Sequence, residues 1–204
     1  MEILSLEAKF FNDVVKLQRL CFPAPFPEDL LWKAEHLQRH IEIFSAGQFV
    51  AVLDGEVVGS CTSMIIKESA WKAHVSFDET VGSLFLDNHT PDGNTLFGVD
   101  ISVHPERRKM GIGRKLYEAR FDLTRKLKLK QYATSVRIPD FSNFHLRTGL
   151  SKNDYVDKVI SGIEIDRTLT PFIKMGFKFD CIIENHMEDP ESGDAAVSLV
   201  WVPV

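Results

Sequence analysis

Apolar positions along the chain switch between two periods, and the switches mark out its elements. EILSL (2–6) is a short apolar run that predicts a strand. Phe10, Val14, Leu17 and Leu20 recur at helical spacing and predict a helix over 9–20. CFPAPFP (21–27) ends it, because three prolines in five positions make a stiff, exposed connection. Helical spacing resumes over 28–43 through Leu31, Ala34, Leu37 and Ile41. QFVAVLDGEVVGSCTSMII (48–66) holds two β-branched runs around Asp54-Gly55, a dipeptide suited to the tight turn of a hairpin. Residues 67–94, with Trp71, His74, Pro91 and Gly93, keep no clean period and predict an irregular excursion with room for a short helix.

The second half is more regular. NTLFGVDISV (94–103) separates Phe97, Val99, Ile101 and Val103 from Gly98, Asp100 and Ser102, a strand pattern. After Gly111, Ile112, Leu116, Ala119, Leu123 and Leu127 form one apolar helix face, with Arg114, Lys115, Glu118, Asp122 and Arg125 on the other. QYATSVRI (131–138) reads as a strand stopped by Pro139. Residues 139–165 are a polar insert with a candidate helix over 153–160. A helix over 167–175 ends at Gly176, and FKFDCII (177–183) and AAVSLVWV (195–202) are the last strands. The order β-αα-β-β-excursion-β-α-β-insert-α-β-β predicts a mixed α/β sheet around one core, a single domain over 1–204.

Composition narrows the function classes. With 29 acids against 24 bases the chain carries a formal charge of −5, which argues against a general nucleic-acid binder. Cys21, Cys61 and Cys181 show neither metal spacing nor a disulfide framework, so reduced thiols in a cytoplasmic protein are expected. The N-terminal MEILSLEAKFF lacks the pattern of a signal peptide, and no apolar run approaches the ~20 residues needed to cross a bilayer. His36 and His40 have metal-compatible spacing, but Leu37 stands where a zinc-protease helix carries glutamate, so they read as a solvated face and no metal site is expected.

The chemistry concentrates in SVHPERRKMGIGRKLYE (102–118). A strand, a turn and a glycine-rich helix start make an anion site: the first helical amides lack internal partners, the helix dipole is positive there, and glycine lets several N–H groups converge. Arg107, Arg108, Lys109 and Arg114 add countercharge for a pyrophosphate. The dinucleotide fingerprint fails because its third glycine falls on Leu116, and the P-loop pattern fails because Arg114-Lys115 follow Gly113. A bare G-x-G fits a structural turn equally well.

The surrounding residues add a resemblance. Val103, Pro105, Arg108, Gly111, Gly113 and Leu116 spell V-x-P-x-x-R-x-x-G-x-G-x-x-L after a strand, which resembles the acyl-CoA-binding motif of the GNAT superfamily of N-acyltransferases. FIKMGFK (172–178) is similar to that superfamily's closing helix-to-strand motif. More narrowly, DGEVVGSCTS, DGNTLFGVDISVHPERRKMGIGRKLYEAR, SVRIPDF, DYVDKVISG and AAVSLVWV look like the GNAT domain fused to nitrilase-type carbon–nitrogen hydrolases. At 204 residues a freestanding version is expected.

The resemblance implies a mostly antiparallel mixed sheet with helices on both faces and a splayed central strand pair. It implies acetyl-CoA as cosubstrate. The backbone of Arg108, Lys109, Met110, Gly111, Ile112, Gly113 and Arg114 would hold the pyrophosphate. Ile101, Ser102 and Val103 would line the pantetheine arm, with an amide near Ile101 polarising the thioester carbonyl.

For the amine's proton, Asp100 is the first candidate, with a structural cap as the alternative. The acidic position that many members use falls on Phe97, and the tyrosine of the closing motif is Phe172. Tyr155 is then the candidate general acid, or a plain surface tyrosine. Arg137 is a candidate partner for an acceptor carboxylate, or one half of an internal salt bridge. His145 belongs to the insert expected to roof the acceptor pocket, or is a surface histidine.

The leading expectation is an acetyl-CoA-dependent N-acetyltransferase for a small amine or amino-acid-like acceptor, acting by direct attack in a ternary complex. The second is a non-catalytic acyl-CoA-binding sensor or partner module. The third is a protein-lysine acetyltransferase, which needs an open groove. Neither nucleic acid nor membrane is an expected partner, and exposed β edges in the C-terminal half suggest a homodimer.

Overall fold

A computed structural model describes residues 1–24 and 26–203. Pro25, in the proline-rich connection, lies outside them. The chain divides into two compact units. The first holds residues 1–68 and 81–132, and the second 69–80 and 133–202. Among the described residues no helix is long and apolar enough to cross a membrane.

In the first unit, β1 (Glu2–Ser5), β2 (Gln48–Leu53), β3 (Glu56–Ile66) and β4 (Thr95–Val103) pair in that order, each antiparallel to the next. The hairpin turn is at Asp54-Gly55, whose φ angles of 53° and 84° put both residues in the left-handed region a tight turn needs. Alternation along β2 builds two apolar layers. Val50 packs with Val14 of α1 (Phe11–Cys21) and Leu37 of α2 (Ala34–Phe44). Ala51 packs with Ile112 and Leu116 of α5 (Ile112–Lys126). Helices therefore cover both faces of this sheet.

Two expectations need correction here. The second helix does not run through 28–43. A short turn at Glu28–Leu30 gives way to extended backbone at Leu31, and α2 starts only at Ala34. The break lets Leu31 and Trp32 both enter the core, and the Trp32 amide donates to the Gln18 side chain. His36 and His40 are not a solvated face; both are buried. His36 Nδ1 accepts from the Lys33 amide at 3.1 Å, and His40 Nε2 is 2.7 Å from the Leu84 carbonyl. Burial lowers the His40 pKa to about 4, so the ring stays neutral. The irregular stretch 67–94 contains two short helices, α3 (Glu68–Trp71) and α4 (Phe77–Val81).

One feature of β3 and β4 organises the first unit. Thr62 pairs with Asp100 but Ser63 pairs with Gly98, so β4 carries one surplus residue, Val99. The Arg120 side chain, 1% exposed, enters at this bulge. Its guanidinium donates to the carbonyls of Thr62 and Asp100, to Ser63 Oγ at 3.0 Å and to Tyr132 Oη at 3.0 Å. The carbonyls freed where the ladder opens are satisfied by a charge.

β5 (Gln131–Arg137), which belongs to the second unit from residue 133 on, is followed in the sheet order by β7 (Ala196–Trp201) and β6 (Lys178–Ile183). The insert contains two helices, α6 (Phe141–Thr148) and α7 (Lys152–Ile160). The predicted 153–160 corresponds to α7. Phe141 and Phe144 of α6 pack on the Tyr155 ring with centroids 5.8 and 4.9 Å apart, and Gly149 ends α6 at φ 71°. The closing helix, α8 (Leu169–Lys174), ends before Gly176 at φ 89°.

Replacing Arg120 with Met should lower the unfolding free energy by about 3 kcal/mol or more, since several buried acceptors lose their donor together. Urea unfolding measures this, and a loss under about 1 kcal/mol would contradict the clamp.

Candidate active site

β4 aims its polar backbone in two directions. The His104 amide donates to the Val58 carbonyl at 2.9 Å, so the backbone of His104 and, by alternation, Ser102 faces β3. The N–H and C=O of Ile101 and Val103 face the other way. The Val103 carbonyl accepts from Cys21 Sγ at 3.2 Å and from Arg108 Nε at 3.3 Å, two side-chain bonds that another donor can replace. The expected contact residues Ile101, Ser102 and Val103 thus form one strip with alternating roles.

Beyond β4 the chain turns through exposed residues 105–111 into α5. Lys109 has φ 67° and Gly111 φ 80°. A Cβ on Gly111 would meet nothing within 4 Å, so this glycine is required by its backbone angle and leaves open space above the helix mouth. The helix begins without a side-chain cap, and its first backbone bond runs from Lys115 to Gly111 at 3.1 Å. The amides of Ile112, Gly113 and Arg114 therefore have no acceptor in the helix's own ladder. Together with Arg108, Lys109 and Arg114 they form a positive notch at the end of the strip.

Asp100 lies at the bulge, partly accessible, on the face where Val99 packs with Val14 and Trp32. Burial pushes its pKa up to about 6, while the Arg120 guanidinium and bonds with Ser102, Trp32 and Gln18 pull the other way. Ser102 Oγ is 3.4 Å from Asp100 Oδ2. Burial and the nearby Asp100 charge also raise the Cys21 thiol pKa, which keeps it protonated as the donor to Val103. The structure thus brings together Asp100, Ile101, Ser102, Val103 and the loop from Arg108 to Arg114.

The other predicted residues belong to the second unit, each with a partner there. Arg137 holds Asp189 in a two-point pair, Nε to Oδ2 and Nη2 to Oδ1 at 2.6 Å each, and reaches Glu191 at 3.2 Å. This is the internal salt bridge of the two alternatives. The Tyr155 hydroxyl donates to Asp166 Oδ2 at 2.8 Å, and burial together with that carboxylate raises the phenol's pKa. It is a core tyrosine rather than a surface one. His145 is exposed, with Nδ1 2.8 Å from the Leu150 carbonyl. Phe97 and Phe172 are both buried, and Phe172 packs against Phe177 at 5.0 Å.

Gln18, Trp32 and Arg120 carry no role in the sequence reading, and Cys21 enters it only as a reduced thiol. Arg120 left a readable signal: it stands four residues after Leu116, where a helix repeats its buried face. The others depend on how α1 and the extended segment before α2 meet β4.

The site is thus a strand strip that ends in a glycine-opened helix mouth. A sequence profile described as the acetyltransferase (GNAT) family matches residues 11–143, and the chain belongs to that family. It is 33% identical to the uncharacterized N-acetyltransferase YkwB of Bacillus subtilis, over 92% of this chain and 82% of the relative. It is 35% identical, over 93% of this chain, to the probable hydrolase YhcX of the same organism, and spans only 36% of that protein's length. Among solved structures, the GNAT-like decarboxylase GphF in complex with isobutyryl-CoA superposes with a TM-score of 0.84 at 21% identity, covering all of both chains.

The raised Asp100 pKa has a stability consequence. The fold favours the protonated carboxyl, so its contribution is complete below the unfolded pKa near 3.8 and is lost as pH rises through about 6. Above that, keeping Asp100 ionised costs stability. Asp100→Asn should therefore raise the melting temperature at pH 8 and give no comparable gain at pH 4, as read by calorimetry at the two pH values.

Proposed function

We propose that the protein transfers an acyl group, acetyl in the first instance, from acyl-CoA to the amine of a small acceptor by direct attack in a ternary complex. The observation that carries this reading is the arrangement along β4. An acidic side chain with a pKa near neutrality is placed by a bulge one residue before Ile101, and the strand runs on into a notch of amides with no acceptor in the helix's own ladder.

The notch would hold the CoA pyrophosphate through the amides up to Arg114, with Arg108 and Lys109 as countercharges. The pantetheine amides would bond the polar edges of Ile101 and Val103, displacing Cys21 and Arg108 from the Val103 carbonyl. The Ile101 amide would face the thioester oxygen as negative charge develops there.

A free alkyl amine has a pKa near ~10 and must lose a proton before attack. Asp100, ionised above pH 6, would accept that proton directly or through one water. The Tyr155 phenol is bonded to Asp166 and no tyrosine occupies position 172. Solvent therefore protonates the departing thiolate, a tolerable leaving group at a thiol pKa near ~8.5. The acceptor is a small molecule, and the reduced thiols fit a cytoplasmic setting.

A second reading has its own support. GphF, described as a decarboxylase, matches this chain over its full length, and here phenylalanines replace both the strand acid and the closing tyrosine. On that reading Asp100, protonated below pH 6, would return a proton to the carbanion left after an acyl-CoA carboxylate departs as carbon dioxide.

One assay separates these. Acetyl-CoA with a panel of primary amines should release free thiol. Asp100→Asn should lower kcat by about 10²–10⁴-fold with little change in KM for acetyl-CoA, and should remove the acidic limb centred near pH 6. Carbon dioxide from a β-carboxyacyl-CoA, without amine, would favour decarboxylation. Thermal stabilisation by acetyl-CoA with neither product would leave the sensor role.

A further inference from the structure

The second unit contains a side-chain cluster that acyl transfer does not use. His74, Asp180 and Cys181 each offer one ligand atom, and these atoms lie within 4.8 Å of one another. Two are sequence neighbours on β6, where strand alternation would send them to opposite faces. A bulge prevents that. Phe179 pairs with Leu199 and Cys181 with Ser198, so Asp180 is surplus in the ladder and its carboxylate stays beside the Cys181 thiol.

The third member arrives by its own local device. His74 follows α3 in the left-handed region at φ 51°, an uncommon conformation for a residue other than glycine. This brings Nε2 to 3.2 Å from Asp180 Oδ2. Nδ1 is buried without a partner, so the cluster is the ring's polar engagement. The Trp71 ring meets His74 edge-on at 6.3 Å, and its indole N–H is tied to Ser198 at 2.9 Å.

The cluster already attracts a cation. The Lys72 ammonium lies 2.5 Å from Asp180 Oδ1 and 4.3 Å from the centre of the Trp71 ring. That ring gives it a resting place when displaced from the carboxylate. His74 and Asp180 side chains are 29% and 18% exposed, so an ion can enter from solvent.

We propose that His74, Asp180 and Cys181 form a three-residue site for a divalent ion of the zinc class, with solvent as fourth ligand. The donor set of imidazole nitrogen, carboxylate oxygen and thiolate sulfur is the one zinc takes in four-coordinate sites. Bonds of roughly 2.0–2.3 Å require donors some 3.3–3.8 Å apart, so the cluster closes by about an ångström. An ordinary cysteine thiol carries its proton at neutral pH. On binding, the ion forms a bond to sulfur and the thiol proton goes to solvent.

Cobalt(II) titration of the full chain tests this through the thiolate-to-cobalt charge-transfer band, with zinc displacing it. The band should saturate at one equivalent with release of one proton. Cys181→Ser should abolish it, His74→Gln should weaken binding at least about tenfold, and Lys72→Met, which removes the competing ammonium, should tighten it about tenfold. Each variant is first shown to unfold with a wild-type-like thermal transition. Absence of the band in the wild-type chain, or its survival in Cys181→Ser, overturns the assignment.

Discussion

The first unit depends on one charged group placed where a sheet should have none. β3 and β4 come out of register at Val99, and carbonyls that a regular ladder would satisfy are left facing inward. Water is excluded there, and an unpaired buried carbonyl costs free energy comparable to a lost hydrogen bond. The Arg120 guanidinium supplies the missing donors, and its planar fork reaches Thr62, Asp100 and Ser63 at once. Lysine, with a point charge on a flexible stem, could not span them. The bulge is thus held by α5, the same helix whose opening residues form the amide notch. One element fixes both ends of the candidate site.

That arrangement explains how Asp100 can be held at intermediate acidity. An aspartate near a buried arginine would ordinarily be driven far below neutrality. Here Arg120 spends its donors on carbonyls, hydroxyls and the backbone of Asp100 itself, rather than on its carboxylate. The charge acts on Asp100 without a direct ion pair, and burial outweighs it. The outcome is a carboxylate that gains nothing for folding at neutral pH. Groups that burden the fold in this way are those expected to serve chemistry.

The sequence carried much of this in periodic form. The hairpin was legible from its Asp54-Gly55 turn between β-branched runs, α5 from its unbroken helical period, and β4 from its apolar alternation, although the bulge at Val99 interrupts it. The loop from Arg108 to Arg114 stood out through the motif around it, since a G-x-G alone fits a structural turn equally well. What escaped depended on partners distant in the chain. His36 and His40 read as polar until Leu84 and Trp32 are seen to cover them. α6 was hidden by its brevity, its apolar contact resting mainly on Phe141 and Phe144. Arg137 left two roles open because a two-point fork suits an internal carboxylate as well as a substrate's, and only Asp189, far along the chain, decides its partner.

Two of the surplus strand residues, Val99 and Asp180, show why site chemistry is harder to read than fold. Alternation assigns each strand side chain to a face, and a sequence reading inherits that rule. A bulge suspends the rule for one residue, and nothing in the local composition of GVDIS or KFDCI announces it. On β4 the suspension puts Val99 and Asp100 on the same face, joining a packing residue to an ionisable one. On β6 it keeps Asp180 beside Cys181, joining a hard oxygen ligand to a soft sulfur ligand. Neither pairing is available to a regular strand, where neighbours diverge. A strand that must present two adjacent functional groups has to give up ladder regularity, and these two bulges fall where an acidic residue gains a neighbour of different chemistry.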